Sequence, residues 1–214
     1  MSLLEATIVV IAVSVLTAAA APAVSRALDR MRIVRAISDA EAIKTAMVNW
    51  QVDMPGFKQF KVDGSAGPAG TPIDMAVSDG DTPVEVGPDG DDRWTHPVSG
   101  PTPPPGFLIV DFMENHFVLN NPFGGSSADA YSTGGGNAWR GAYMRAPIDP
   151  DPWGNRYAMN PRYLRAPFDT RFDTFVLSAG PDEQIDTAFE RNGIVPGDDD
   201  IVVVINRDLD LQLP

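Results

Sequence analysis

Carboxylates gather around the last two predicted strands of the chain. The sequence DTFVLSAGPDEQID predicts a strand over residues 174–178 that ends in a Gly-Pro-Asp turn at Asp182. The sequence GDDDIVVVIN then places three consecutive acids at the start of a strand over residues 201–206: Asp198, Asp199 and Asp200. Because an acid-rich loop joins the two strands, these carboxylates should lie close together, and like charges repel unless a hard cation binds them. The alternative is that the acids only solvate a surface loop.

A second carboxylate stands alone near the start of the chain. Glu5 precedes 20 residues without a charge, 6–25, which span about 30 Å as a helix, the thickness of a bilayer core. A carboxylate at membrane depth needs a positive partner, and no Lys or Arg occurs in residues 1–25. One candidate partner is the α-amine of Met1 in a neighbouring copy. In the other interpretation, Glu5 is simply an anion favoured by the dipole at a helix N-terminus.

The element that carries Glu5 is predicted to be one long helix. Apolar residues continue at helical spacing beyond the uncharged run: Ile33, Ala36, Ile37, Ala40, Ile43 and Met47. This pattern predicts a helix over residues 3–52 whose first half suits lipid and whose second half suits a domain face. Pro22 predicts a kink or a locally melted turn within it. A secretory signal peptide fits less well, because no basic residue precedes the apolar run.

Composition excludes several classes of function. The 214 residues carry a net charge of −13, and no basic cluster is dense enough to follow phosphates, so nucleic acid is not an expected partner. With no cysteine, disulfides and thiolate chemistry are excluded. His96 and His116 are the only histidines, and no nucleophile or metalloprotease motif accompanies them, so we do not expect an enzyme.

The middle of the chain is predicted to be mostly loop. Residues 53–105 are rich in Gly, Pro and Asp and predict long surface segments with little regular structure, partly packed around Trp94. Residues 106–112 and 116–120 predict two strands of a hairpin, joined by a turn at 113–115. A further short strand is predicted over residues 156–159. The acidic stretch at 79–92 lacks the spacing of an EF-hand, which favours a solvated turn over a metal site.

Two parts of the sequence resemble a known family. Met1, Glu5, the apolar run 6–25 and Pro22 are similar to the start of mature type IV pilins and of type II secretion pseudopilins. The stretch DPWGNRY, the Gly-Pro-Asp turn and the acidic triplet resemble the C-terminal half of the major pseudopilin of type II secretion systems. The resemblance covers residues 1–50 and 143–206.

The resemblance implies an α+β fold of the type IV pilin kind. A long N-terminal helix, membrane-spanning in its first half, would pack on a small antiparallel sheet with long loops. Residues 1–52 would be the transmembrane and assembly helix, and 53–214 the globular domain. Within that domain, 53–140 would hold loops and a hairpin, and 143–214 the β region with the acidic loop.

The resemblance also implies a function. A prepilin peptidase would expose Met1 as a methylated first residue, although Phe is usual there, and the protein would be stored in the bacterial inner membrane. The pilus assembly machinery would then build a helical homo-oligomer, a periplasmic or extracellular filament, in which Glu5 pairs between subunits. Calcium would be bound by Asp182, Asp199, Asp200 and the carbonyl of Ala179, in a loop longer than the family's. The alternative is a single-copy, membrane-anchored surface domain that binds calcium or glycans.

Overall fold

The computed structural model of the chain describes residues 2–55, 60–64, 70–87, 92–145, 147–164, 172–190, 193 and 195–205. The expectations for Met1 and for the end of the last predicted strand at Asn206 lie outside these residues, as does part of the acidic stretch 79–92.

The first element is a single long helix. α1 (Leu3–Asp53) has 51 residues and confirms the helix predicted over residues 3–52. Its two halves differ, since every residue from 2 to 35 is exposed and burial begins only at Ala36. The buried side chains recur at helical spacing and form one apolar face: Ala36, Ala40, Ile43, Ala46, Met47 and Trp50. The helix is continuous at Pro22. The kink or melted turn expected there stays a prediction.

The buried half of α1 packs on a small mixed sheet. In chain order the strands are β1 (Met75–Val77), β2 (Val84–Glu85), β3 (Val110–Phe112), β4 (Ala158–Met159), β5 (Phe175–Ser178), β6 (Gln184–Ile185) and β7 (Ile201–Val204). Five of them form a sheet in the order β3-β1-β4-β5-β7, and β2 and β6 form a separate parallel pair. β4, β5 and β7 confirm the strands predicted there. The α+β layout is therefore as predicted. The prediction that the sheet would be antiparallel was wrong, because β1 and β3 run parallel.

The predicted hairpin at residues 106–120 is also wrong. Only Val110–Phe112 of its first part is paired as a strand, and the chain then forms a short helix, α2 (Met113–Phe117). Single 3₁₀ turns lie at Pro122–Gly124 and Pro161–Leu164. One helical turn brings Asn115 and His116 back over Asp111, and four of the five α2 side chains are buried. A second strand would have pointed alternate residues away from this polar contact and into water.

The segment 53–105 that follows α1, predicted to be mostly loop, contributes a strand to the sheet. β1, three fully buried residues, lies inside the sheet between β3 and β4. Trp94 is fully buried, as the partly packed loop predicted around it requires, and its indole nitrogen donates to Thr187 O at 2.8 Å. The sheet thus separates two apolar layers. One includes the buried face of α1, and the other includes Trp94, Phe175 and Phe189.

Candidate functional site

The acidic cluster lies where β5 ends and β7 begins. β5 and β7 are antiparallel with Ser178 opposite Ile201, so the chain segments that extend them at this end run side by side. Gly180 adopts φ +69° directly against the backbone of Asp199, and a Cβ at this position would collide with the Asp199 carbonyl. A residue without a side chain is therefore needed for the Gly-Pro-Asp turn to approach the acidic triplet this closely.

Three carboxylates of this cluster converge on one point. Asp182, Asp186 and Asp198 each offer an oxygen, and these three oxygens lie within 4.8 Å of one another. Calcium binds oxygen at about 2.3–2.6 Å, so oxygens on opposite sides of the ion are separated by roughly 5 Å. Asp182 and Asp198 are exposed and Asp186 is half-buried. The spacing fits a hard divalent cation at the rim of the domain.

Asp199 lies against this triad. Its Oδ2 accepts a hydrogen bond from the Asp182 backbone amide at 3.2 Å. Burial raises the pKa of the Asp199 carboxyl above its ordinary value, and the neighbouring Asp182 and Asp198 carboxylates raise it further. Among the described residues, the buried Asp199 Oδ1 has no hydrogen-bond partner. Within the described residues, a negative charge on Asp199 therefore has no hydrogen-bond donor at Oδ1.

Asp200 is buried and connects the start of β7 to residues 186 and 187 of the acidic loop. Its Oδ2 accepts three hydrogen bonds, from the amides of Asp186 and Thr187 at 2.9 and 2.7 Å and from the Thr187 hydroxyl at 2.7 Å. Burial nevertheless raises the pKa of this carboxyl to about 6, against the lowering effect of those bonds. Its Oδ1 is buried and, within the described part of the chain, has no hydrogen-bond partner.

The structure therefore brings the predicted acids together but arranges them differently from the implied ligand set. The converging triad contains Asp182 with Asp186 and Asp198, and Asp186 was not among the implied ligands. Extending the β5–β7 register places the buried Ala179 opposite Asp200, and its role as a carbonyl ligand stays a prediction. Asp186 follows Asp182 by four residues in the same acid-rich loop. This spacing was the feature of the sequence that could have indicated Asp186 as a ligand.

The start of α1 shows how Glu5 is used in a single copy. Ser2 is the N-cap, its hydroxyl accepts from the Glu5 amide at 3.3 Å, and the Glu5 carboxylate accepts from the Ser2 amide at 2.8 Å. This reciprocal capping box satisfies two of the amide groups that a helix N-terminus leaves free. Glu5 is exposed. The geometry matches the interpretation of Glu5 as a helix N-terminal anion, and pairing with another copy's Met1 stays a prediction.

A second acidic centre, which sequence reasoning missed, is fully buried. The Asp111 Oδ1 accepts from the Asn115 side chain at 2.6 Å and the Phe112 amide at 2.8 Å, and Oδ2 accepts from the Phe123 amide at 2.7 Å. His116 Nε2 lies 2.9 Å from the same Oδ2. His116 Nδ1 lies 2.8 Å from the Tyr131 hydroxyl. This network joins α2 to the loops on either side of it.

Two further buried groups fasten the long loops to the sheet. The Arg156 guanidinium donates to the carbonyls of Trp94 and His96 at 2.7 and 2.8 Å, and burial lowers its pKa to about 10. Asp151 accepts from two amides of the Asp-Pro-Trp-Gly-Asn turn and from the Ser178 hydroxyl at 2.7 Å. The motif that carried the resemblance therefore has a structural role here.

Comparisons with models of protein families, with curated proteins and with solved structures found no match for this chain.

Proposed function

We propose that the chain is a structural subunit that enters a membrane through the first half of α1 and then polymerises through the same surface into a pilus-like or pseudopilus-like filament. One observation carries the proposal: the uncharged run 6–25 is entirely exposed, while the second half of the same helix buries one face on the sheet. So long an apolar surface is unstable in water and needs lipid or other copies to cover it.

The composition of this surface suits both environments. The run is long enough to cross a bilayer, and it contains four consecutive alanines, 18–21. Small side chains let helices approach closely when lipid is exchanged for neighbouring helices. Because α1 is continuous into the domain, each added subunit would carry its globular part to the outside of a helical bundle.

A single-copy membrane anchor is the second candidate, and the capping box favours it. Glu5 already accepts a hydrogen bond within its own chain, so the carboxylate has a use that needs no neighbour. Both candidates place the protein in a membrane. They differ in whether the charge of Glu5 matters beyond its hydrogen bond.

Two variants separate the charge of Glu5 from its capping role. Glu5→Gln keeps an oxygen that can accept from the Ser2 amide but removes the charge, because Glu and Gln both serve in capping boxes. Ser2→Ala removes the N-cap hydroxyl and keeps the charge, at a cost of about 1 kcal/mol to the helix end. If copies pair through Glu5, Glu5→Gln should abolish filaments while the protein remains in the membrane, and Ser2→Ala should assemble nearly normally.

Filaments would be sheared from cells and counted by electron microscopy, with membrane content measured by immunoblot. Abundant filaments from Glu5→Gln would refute pairing between copies. Absence of filaments and of any contact between copies in the wild-type membrane would favour the single-copy anchor.

We also propose that the acidic cluster binds Ca²⁺ through Asp182, Asp186 and Asp198. The converging oxygens support this, as do the buried Oδ1 atoms of Asp199 and Asp200, which are the kind of atoms a nearby cation stabilises. When bound, the ion would neutralise the repulsion between carboxylates and tie the turn after β5 to the loop before β7.

A further inference from the structure

The ten residues that follow the uncharged run form a basic segment in an acidic chain. The chain has a net charge of −13, yet four of its 16 basic residues fall within residues 26–35: Arg26, Arg30, Arg32 and Arg35. We call residues 26–35 the arginine segment. All of it is exposed, including the apolar side chains of Leu28, Met31 and Val34. Exposed apolar groups mixed with positive charges suit the boundary between hydrocarbon and lipid headgroups.

The arginines lie on two sides of α1. At 3.6 residues per turn, Arg26 and Arg30 are about 40° apart around the helix axis and one turn apart along it. Arg32 and Arg35 lie roughly on the opposite side. Side chains four residues apart are neighbours on a helix surface, and like charges at this spacing repel each other. An anion between Arg26 and Arg30 would remove that repulsion.

The described residues supply no such anion to Arg26 and Arg30. The Arg35 Nε lies 3.4 Å from the Asp39 Oδ2, so this arginine has an acidic partner on its own helix. Asp29 is close in sequence to Arg26 and Arg30, but no ion pair in the described part of the chain joins it to either of them. The positive charges of this pair are therefore available to a ligand.

The position of the pair along α1 indicates which anion it meets in a membrane. The hydrocarbon core is about 30 Å thick, the length of the run 6–25, and headgroups add about 5–7 Å on each side. Arg26 directly follows the run, and Arg30 lies about 6 Å further along the helix axis. Helical side chains lean toward the helix N-terminus, which here is toward the bilayer. Phosphates are the anions at this depth, and arginine binds them with two parallel hydrogen bonds.

We propose that Arg26 and Arg30 bind the headgroup phosphate of an anionic phospholipid and thereby fix the depth of α1 in the membrane. The proposal rests on the membrane insertion of α1 proposed above and adds a binding site and a lipid class to it. An anionic lipid is preferred to a zwitterionic one, because the zwitterionic headgroup carries its own cation. Each arginine near an anionic surface contributes about fivefold to binding. The acidic remainder of the chain is repelled by the same surface, so the preference comes from the arginine segment.

Site-directed quenching in the full chain tests this preference, because the protein has no cysteine of its own. Position 23 lies on the same side of α1 as Arg26 and Arg30, about one turn nearer the hydrocarbon core. Ala23→Cys is labelled with bimane and reconstituted into phosphatidylcholine vesicles. The vesicles contain a small fraction of either phosphatidylglycerol or phosphatidylcholine with a nitroxide on the acyl chain near the glycerol. The ratio of the two quenching efficiencies gives the relative association constant of the two lipids at this site.

We expect phosphatidylglycerol to be favoured at least about fivefold in the parent, and Arg26→Gln with Arg30→Gln to lower the ratio below about twofold. Arg140→Gln with Arg145→Gln is the matched control, since it removes the same charge from two exposed arginines of the globular domain. The control should leave the ratio unchanged. Each single substitution should have a partial effect and replaces the double variant if that variant is poorly expressed.

Two results would overturn the lipid site and leave the insertion of α1 intact. The first is equal quenching by the two lipids in the parent, and the second is an equal fall in the ratio in the control variant. Absence of quenching by either lipid would place position 23 outside the bilayer. That result would overturn the proposed membrane insertion together with the lipid site.

Discussion

Two acidic centres of this molecule solve the same electrostatic problem in different ways. Asp111 is buried in the core, and both of its oxygens accept hydrogen bonds from amides or side chains of the chain itself. Asp199 lies at the rim and Asp200 just inside it, where its Oδ2 accepts three hydrogen bonds, and each residue keeps one buried oxygen without a hydrogen-bond partner among the described residues. A buried carboxylate is tolerated only when its charge is compensated. We call the first centre complete, because the Asp111 carboxylate has a hydrogen-bond partner at each oxygen, and the second incomplete.

This difference separates a structural centre from a candidate binding centre. At Asp111 the donors come from α2 and from the segment after it, so the carboxylate organises those segments. At the rim, the carboxylate of Asp199 is close to those of Asp182 and Asp198, which converge in turn with that of Asp186. Repulsion of this kind lowers stability until a cation binds, which is the basis of the predictions that follow.

The largest effect is expected at the complete centre. Asp111→Ala leaves the buried Asn115 side chain and two backbone amides without their acceptor. Each buried polar group left unpaired costs about 1–3 kcal/mol, so the summed loss should be the largest of those considered. The loss of unfolding free energy should be the same with calcium and with chelator, since no cation is involved. Denaturant unfolding in detergent, followed by tryptophan fluorescence, measures it.

Asp129→Ala is the matched control for this variant. Asp129 is half-buried and accepts from the amide and hydroxyl of Ser126 in a surface turn, so its removal should cost about 1 kcal/mol. An Asp111→Ala protein as stable as the control would contradict the structural role of the network.

Removal of calcium should have the next largest effect, confined to the incomplete centre. At a hundredfold excess over Kd the ion adds about 2.7 kcal/mol to the free energy of unfolding. Chelator should therefore lower the melting temperature by several degrees and speed proteolysis between residues 179 and 200. Magnesium should substitute poorly, because it requires a tighter octahedron. An unchanged melting temperature and digestion pattern would reduce the cluster to a solvated loop.

Single neutral substitutions in the triad should sharpen this result. Asp198→Asn or Asp182→Asn removes one ligand charge, so the calcium-dependent rise in melting temperature should largely disappear. With chelator present the same variants should be no less stable than the parent, because a source of repulsion has gone. Glu183→Gln is the control, since Glu183 is an exposed acid of the same turn outside the triad. Equal calcium responses in Asp198→Asn and Glu183→Gln would place the ion elsewhere.

The two centres also differ in what sequence could predict. The rim acids are adjacent in sequence and flank strands with strong apolar patterns, so β5, β7 and the meeting of Asp182 with Asp199 were predictable. Asp111 and Tyr131 are twenty residues apart in the sequence and are connected through His116, which lies close to both. No periodicity marks that contact, because four of the five α2 residues are buried and the pattern lacks a polar face.

The length of the apolar pattern also explains why β1 was not predicted and α1 was. β1 is three buried residues bounded by Pro, Asp and Gly, too short for alternation to distinguish it from loop. The 51 residues of α1 make about fourteen helical turns of roughly 3.6 residues, and the apolar pattern continues along them. Both ends of the helix were therefore predicted to within one residue. Length of pattern, more than composition, decided which elements could be predicted.

The smallest effect concerns pH and tests whether Asp200 belongs to the incomplete centre. Its pKa is raised from an ordinary value near 3.8 to about 6, mainly by burial, so the folded metal-free protein holds a proton that the unfolded chain releases earlier. The free energy of unfolding in chelator should accordingly fall as pH rises from about 4 to about 6, by roughly 1–2 kcal/mol after screening at the rim, and then level off. Asp200→Asn should flatten this fall, and calcium should do the same in the parent by favouring the ionised carboxyl. Thermal unfolding of parent and variant across that pH window, with and without calcium, measures both slopes. Equal slopes in parent and Asp200→Asn would mean that the hydrogen bonds to Oδ2 already compensate this carboxylate and that Asp200, like Asp111, is complete without a cation.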